Sequence, residues 1–395
     1  MKQHLLLISL ALSLSGSATS AEDIKVGVIL GFTGPIETLT PAMADAAELA
    51  FKEASQSGKL LDGATITPVR ADSTCVDAAA ATAAMERLVS ADNVVAVYGA
   101  DCSGVTTAAA NNVAIPNGVV MVSPSATSPA LSSIDDNGYF FRTAPSDARQ
   151  GEVLAKVVMG RGIKNVAITY TNSDYGKGLS ESFSSAYKAL GGNISAVAAH
   201  EDGKADYAAE VGALSAAGGE ALVVFGYLDQ GGKGIVSAAL DTGGFDKFIF
   251  ADGMIGQSII DAIGKPLEGS FGTLPGGDGP NAEKFLQYAT QAGFDGDGPF
   301  RASSYDAGAL LVLAMQAAGN AERASIQSNM MNVANAPGVK IRPGEIAKGL
   351  EVLAGGGDVD YVGATEVEFN DVGEVFGTYK EVEVKSGKFE TINTH

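Results

Sequence analysis

Short apolar runs, each ending in a loop of small residues and followed by a helix-like stretch, recur along most of the chain. The first, Ile24-Lys25-Val26-Gly27-Val28-Ile29-Leu30, is almost continuously apolar, as in a parallel strand covered on both faces. Similar runs lie at 64–70, 94–98, 119–122, 165–170, 194–200, 220–225, 247–251 and 268–274. Pro41 to Ser57, with Met43, Ala47, Ala50 and Phe51 at helical spacing, predicts the first helix. Further helices are expected at about 77–90, 103–114, 146–160, 176–190, 206–217, 231–241 and 256–264. A strand–helix–strand rhythm of this kind predicts βαβ units and mostly parallel, doubly wound α/β sheets.

One seam interrupts the rhythm. Residues 128–147 hold Pro129, Pro145, Asp135-Asp136-Asn137-Gly138 and the aromatic run Tyr139-Phe140-Phe141, which predicts a crossing from one lobe to a second. At 395 residues the chain is long enough for about two domains. Beyond about residue 272 the pattern turns helical, at 281–292, 301–318, 322–334 and 344–354. It ends in period-two segments, Glu366–Phe369, Phe376–Val384 and Lys388–Ile392, with a hairpin turn at Gly387. A tail that returns as an edge strand would give several crossings and a hinged cleft between lobes.

Lys2 and His4 precede an apolar run from Leu5 to Leu14, and Ser17-Ala18-Thr19-Ser20-Ala21 offers a peptidase small residues. Residues 1–21 are expected to be a cleaved secretory signal peptide, too short in apolar length to span a membrane. The mature product is expected in the periplasm. In that oxidising compartment Cys75 and Cys102, the whole cysteine complement, are expected to pair; two unrelated free thiols are the alternative.

The 46 acidic against 26 basic side chains, a net charge of −20, argue against nucleic acid as a partner. The three histidines, His4, His200 and His395, are too few and too scattered for a histidine metal centre or a catalytic triad. His200 reads as a surface residue beside Glu201-Asp202. Gly31-Phe32-Thr33-Gly34-Pro35 lacks the spacing of a dinucleotide fingerprint, and Gly231-Gly232-Lys233-Gly234 that of a phosphate-binding loop. No enzyme, cofactor or metal is expected. Two loops at strand ends stand out instead: Asp101-Cys102-Ser103-Gly104 and Ser123-Pro124-Ser125-Ala126-Thr127-Ser128-Pro129. Open α/β sheets bind ligands at such positions, and hydroxyls beside a helix start suit a carboxylate. Plain helix capping is the competing role.

The segments K-V-G-V-I-L-G-F-T-G-P at 25–35, Cys75 with Cys102-Ser103, S-P-S-A-T-S-P at 123–129 and F-R-T-A-P-S-D at 141–147 occur in order. Y-G-K-G-L at 175–179, F-G-Y at 225–227, F-A-D-G at 250–253 and Y-D-A-G-A-L at 305–310 follow. Together they resemble the leucine/isoleucine/valine-binding protein family, the type I periplasmic solute-binding proteins of ABC transporters. The resemblance implies two α/β lobes joined by a three-segment hinge, residues 22–142 with 273–368 forming the first and 143–272 with 369–395 the second. It implies a monomer that captures a branched-chain or other aliphatic amino acid and hands it to permease subunits in the inner membrane.

The positions that match the family's carboxylate site are Ser103, Thr127 and the backbone at Ser125; those that match its ammonium site are Asp252 and Tyr227, with Tyr175 lining the cleft. Asp252 stands where the branched-chain binders carry glutamate, and Leu39 where they carry an aromatic residue. Tyr305 is expected in the pocket wall, with Asp306 as an alternative. These departures favour an α-amino acid in general over leucine itself. A carrier of a urea, short amide or aromatic acid is the second reading, and a secreted enzyme the third.

Overall fold

The computed structural model describes residues 22–395, so the expected signal peptide lies outside the described residues. The first sheet is built from β1 (Asp23–Leu30), β2 (Thr65–Asp72), β3 (Ala96–Gly99), β4 (Val120–Ser123) and β5 (Phe140–Arg142). Its order is β2-β1-β3-β4-β5 and every pairing is parallel. Every residue of β3 and β4 is buried, which is why these strands read as unbroken apolar runs.

The second sheet takes β6 (Asn165–Thr171), β7 (Asn193–His200), β8 (Ala221–Phe225), β9 (Phe248–Phe250) and β10 (Phe271–Pro275) in parallel. A small parallel pair, β11 (Val339–Ile341) and β12 (Val359–Tyr361), belongs to neither sheet. Finally β13 (Tyr379–Lys385) runs antiparallel beside β10, and β14 (Lys388–Thr394) closes the edge, in the order β14-β13-β10-β9-β8-β6-β7. The expected hairpin at Gly387 is therefore the edge of a sheet begun much earlier in the chain.

Helices cover both sheets. Thr40–Gln56 starts with a proline in its first turn, where the missing N–H costs nothing, and buries Met43, Ala47, Ala50, Phe51 and Ala54. It lies against Arg301–Ala318, whose residues 303–316 are buried on all sides. At Gly308 the two helices meet so closely that a Cβ would stand 2.7 Å from the Ala47 carbonyl oxygen. Side-chain caps fix other starts: Asp77 accepts from the N–H groups of Ala79 and Ala80, Ser146 from Ala148, and Ser173 from Gly176.

Three details differ from the sequence reading. The aromatic run at 139–141 is not only a seam, because Phe140–Arg142 forms the fifth strand of the first sheet. The return to the first lobe expected at 273 falls inside β10, which stays in the second sheet through Pro275. Residues 369–375 remain on the first-lobe side through bridges Phe369–Val375 and Arg142–Glu374, so the last crossing follows Val375 rather than 369. Period and composition mark a short extended segment but do not say which sheet edge it joins.

Cys75 and Cys102 form a disulfide with a Cα–Cα distance of 5.1 Å, bridging the loops after β2 and β3. With a sequence separation of 27, it closes a loop expected to contribute about 3–4 kcal/mol in the chain-entropy treatment. The double variant Cys75→Ser/Cys102→Ser should unfold at lower denaturant by that amount, as measured by equilibrium urea titration.

Candidate functional site

The ends of β3 and β4 deliver two loops to the gap between the lobes. At the first, Asp101 is buried, and its carboxylate accepts from the Gly31 N–H at 2.6 Å, the Cys102 N–H at 2.9 Å and the Ser73 hydroxyl at 3.1 Å. This ties the tips of β1, β2 and β3 together and presents Ser103. At the second, the Ser125 hydroxyl donates to the Asp101 carbonyl at 3.1 Å, while the Ser128 N–H donates to Ser103 Oγ at 3.1 Å. The two hydroxyl loops expected from the sequence are thus one unit.

That unit is held from behind by Arg142. Its guanidinium, 1% exposed, donates to the carbonyls of Ala126 at 3.1 Å and Ser128 at 2.9 Å, to the Ser132 hydroxyl at 2.8 Å and to the Glu374 carboxylate at 2.7 Å.

The second lobe answers with Tyr175, Tyr227 and Asp252. Tyr175, in the first turn of helix Asp174–Ala189, donates its hydroxyl to Asp252 Oδ1 at 2.7 Å and accepts from the Gly253 N–H at 3.1 Å. Burial and the neighbouring Asp252 carboxylate hold the Tyr175 phenol well above its ordinary range, so it stays protonated and serves as donor. Its ring stacks on Tyr227 at 5.2 Å between centroids. Asp252 is buried, and burial raises its carboxyl above the ordinary value against the opposing effects of Tyr175, the Gly253 N–H and Gln150.

These side chains enclose one small cavity. Ser103, Ser125, Asp101, Leu39 and Ile36 line it from the first lobe, Tyr175, Tyr227 and Asp252 from the second, and Phe300 closes one end. Its volume is about 20 Å³, room for about one water centre. Any ligand of more than a few atoms therefore enters only when the lobes part. A larger cleft of about 390 Å³ lies beyond Phe300 but does not include the hydroxyl loops or Asp252. Across the mouth, Asp229 accepts from the Thr38 N–H at 3.0 Å and the Thr38 and Ser258 hydroxyls at 2.8 and 2.7 Å, clasping the lobes shut.

Ser103, Ser125, Tyr175, Tyr227, Asp252 and Leu39 are brought together as expected from the sequence. Thr127 is fully buried behind the cavity wall, beside Asp147. Tyr305 is a correction: it lies in the first-lobe core, donating to Glu53 Oε2 at 2.6 Å and accepting from the Gly344 N–H at 2.9 Å. Asp306 is sequestered too, accepting from the Tyr361 hydroxyl and from the Ala364 and Thr365 N–H groups, each at 2.8 Å. Both lie within the helix Arg301–Ala318 that carries the first-lobe core, so helical phase turns them inward.

His200 is a second correction, being 2% exposed at the end of β7, with Nδ1 2.8 Å from the Thr169 hydroxyl. The sequence reading missed Asp101, Ile36 and Phe300. Asp101 directly precedes the disulfide cysteine and had a signal; Ile36 and Phe300 had none. Among the described residues no group of three or more His, Cys, Asp and Glu side chains is arranged to hold a metal, and no helix is long and apolar enough to cross a membrane.

Two α/β lobes closing on a small cavity of hydroxyls, carboxylates, aromatic rings and aliphatic side chains define a small-molecule receptor that works by enclosure. A profile of the periplasmic binding protein family matches residues 23–348, and the chain belongs to that family. A leucine-, isoleucine-, valine-, threonine- and alanine-binding protein of Pseudomonas aeruginosa is 27% identical over 329 residues, 81% of this chain and 86% of the relative. The branched-chain amino acid transporter substrate-binding protein of Streptococcus pneumoniae, solved with isoleucine, superposes with a TM-score of 0.77 at 25% identity, covering 95% and 99% of the two chains. A solute-binding protein of an ABC transporter from R. palustris, solved with 4-hydroxybenzoate, shares the fold at a TM-score of 0.76 and 19% identity, covering 95% and 97%.

Two expectations follow from this geometry. Arg142→Met leaves Glu374 buried without its partner and should cost about 3–5 kcal/mol in urea unfolding. Burial lowers the His200 imidazole from 6.5 to about 4, so its neutral form stabilises the fold above pH 6.5 and that contribution is lost as pH falls toward 4. Between pH 7 and 4.5 the stability advantage of the wild type over His200→Gln should shrink by about 2–3 kcal/mol.

Proposed function

We propose that this protein is the extracytoplasmic receptor of an ABC importer, capturing an α-amino acid with an aliphatic or small side chain and delivering it to a membrane permease. The observation that carries the reading is Asp252, a buried carboxylate oriented by Tyr175 and facing a pair of hydroxyl loops across the cavity. A zwitterion matches this polarity: its carboxylate suits Ser103 and Ser125, and its ammonium suits Asp252. An ammonium taken out of water needs such a partner.

The three crossings, near 143–146, 276–279 and 376–378, are the hinge in this reading. The open form docks the carboxylate on the first lobe. Closure brings Asp252, oriented by Tyr175, and Tyr227 onto the amine, and the Asp229–Thr38 clasp holds the closed state. The permease then reads the relative position of the lobes. Residues 1–21 export the chain to the periplasm, where it acts as a monomer and performs no catalysis. Leu39, against Gly256 and Leu228, narrows the side-chain end of the pocket.

The R. palustris relative in fold makes an aromatic acid the alternative ligand class, with ureas and short amides beside it. Asp252 opposes an aromatic acid, because a ligand without a cation leaves that carboxylate unpaired. A thermal-shift and calorimetry panel of amino acids, their deaminated acids, ureas, amides and benzoates separates these classes. An amino acid at a hundred times its Kd should stabilise the protein by about 2.7 kcal/mol. Asp252→Ala should weaken amino-acid binding more than a hundredfold, matching about 3–5 kcal/mol for an uncompensated buried charge, with the fold intact by circular dichroism. Stabilisation by anionic or uncharged compounds alone would overturn the assignment.

A further inference from the structure

Behind Asp252 lies a second set of buried polar atoms. Both carboxylate oxygens of Asp147, Thr127 Oγ1 and Gln150 Oε1 are fully buried and, among the described residues, meet no partner in full hydrogen-bond geometry; the Thr127 hydroxyl is the donor that acts on Asp147. The backbone accounts for none of them. Asp147 donates its own N–H to the Thr127 carbonyl at 2.8 Å, and Gln150 uses its NH₂ on the Thr273 carbonyl at 3.0 Å, which leaves its carbonyl oxygen free. Such groups are rare in a folded protein, since an unpaired buried acceptor keeps the full cost of having left water. All of these atoms can accept, and only the Thr127 hydroxyl and a protonated Asp147 carboxyl have a proton to give, so what satisfies the ionised set carries several N–H or O–H donors.

The set lies outside the cavity lining and is linked to it through Asp252. Burial first, and the Asp252 carboxylate second, push the Asp147 carboxyl well above its ordinary range. The Gln150 side chain also supports Asp252. Arg142 is the basic group that acts on Asp147, and it is already committed to Glu374 and the loop carbonyls. Among the described residues the region therefore holds two carboxylates and, beyond the committed Arg142, no cation acting on Asp147.

We propose that Asp147, with Thr127 and Gln150, forms the second wall of the cation site, so that the ligand's ammonium lies between the Asp147 and Asp252 carboxylates. The inference rests on the amino-acid reading above and sharpens it. A primary ammonium has three N–H donors, enough for both acids and the Gln150 carbonyl; a tertiary or quaternary amine does not. Thr127, expected from the sequence to hold the ligand carboxylate, instead serves the ammonium end. The site thereby selects primary amines over betaine-like compounds of the same charge.

The test uses the whole mature protein and titration calorimetry with leucine, alanine and the deaminated acid of leucine. Asp147→Asn keeps the side-chain size and removes the carboxyl that would ionise against the ammonium. It should weaken binding of both amino acids at least tenfold, leave the deaminated acid no weaker than with the wild type, and leave the melting temperature of the free protein unchanged or higher. A structural role would do the reverse: a lower melting temperature with unchanged affinity overturns the proposal. A crystal structure of the unaltered protein with bound amino acid gives the second readout, needed if the variant does not fold. The ammonium nitrogen within about 3.2 Å of an Asp147 oxygen is expected, and a separation beyond about 3.6 Å overturns the assignment. If the wild type binds amino acids and Asp147→Asn binds them equally, this site falls and the function stands. If the wild type binds no amino acid of the panel, both fall.

Discussion

The Arg142–Glu374 pair is the constraint on which the cleft depends. Arg142 ends the last strand of the first sheet, and Glu374 lies just before the final crossing into the second lobe. The same guanidinium reaches the carbonyls of Ala126 and Ser128, which bracket Thr127 in the hydroxyl loop after β4. One buried cation thus fixes the first crossing, the last crossing and the loop between β4 and β5 in a common frame. A buried ion pair is seldom a net source of stability against a well-packed apolar substitute. Its value here lies in geometry, because planar, multiply donating arginine sets four acceptors at once.

The acidic side chains inside the molecule divide by how fully they are satisfied. Asp101 and Asp306 each collect backbone N–H and hydroxyl donors on both oxygens, and each pins a loop to the body of the first lobe. Asp252 collects fewer donors and opens on the cavity; Asp147 collects none in full hydrogen-bond geometry. Burial raises all four carboxyls, so the direction of the shift does not separate them. The donor count does: the loop-fixing acids are complete as they stand, and the two proposed for the cation site are not.

Much of this was legible in the sequence where local pattern determines structure. The runs at 24–30, 94–98 and 119–122 are strands because both faces are covered, which removes the polar alternation. The hydroxyl loops could be found because they follow those strands, and the cysteine pair marks one of them. Tyr305 was misplaced because its motif lies one helical face away from the cleft, and His200 because Glu201 and Asp202 beside it suggest a solvated edge. Asp147 gave no local sign: after Ser146 and before a helix, it has the position of an ordinary first-turn acid.

The sequence by itself determined the α/β rhythm, the existence of two lobes, the disulfide partners and the two hydroxyl loops that carry Ser103 and Ser125. These follow from periodicity over a few residues and from residue types that act where they stand, whereas Tyr175 and Asp252 were reached only through the resemblance of their motifs to the family. Only the tertiary structure decided which sheet edge each late segment joins, which acids meet their donors, and that Asp147 lies behind Asp252. Those are properties of pairs far apart in the chain, such as residues 147 and 252 or 142 and 374. No local pattern encodes such a distance, which exists only once segments remote in the chain have packed into one lobe.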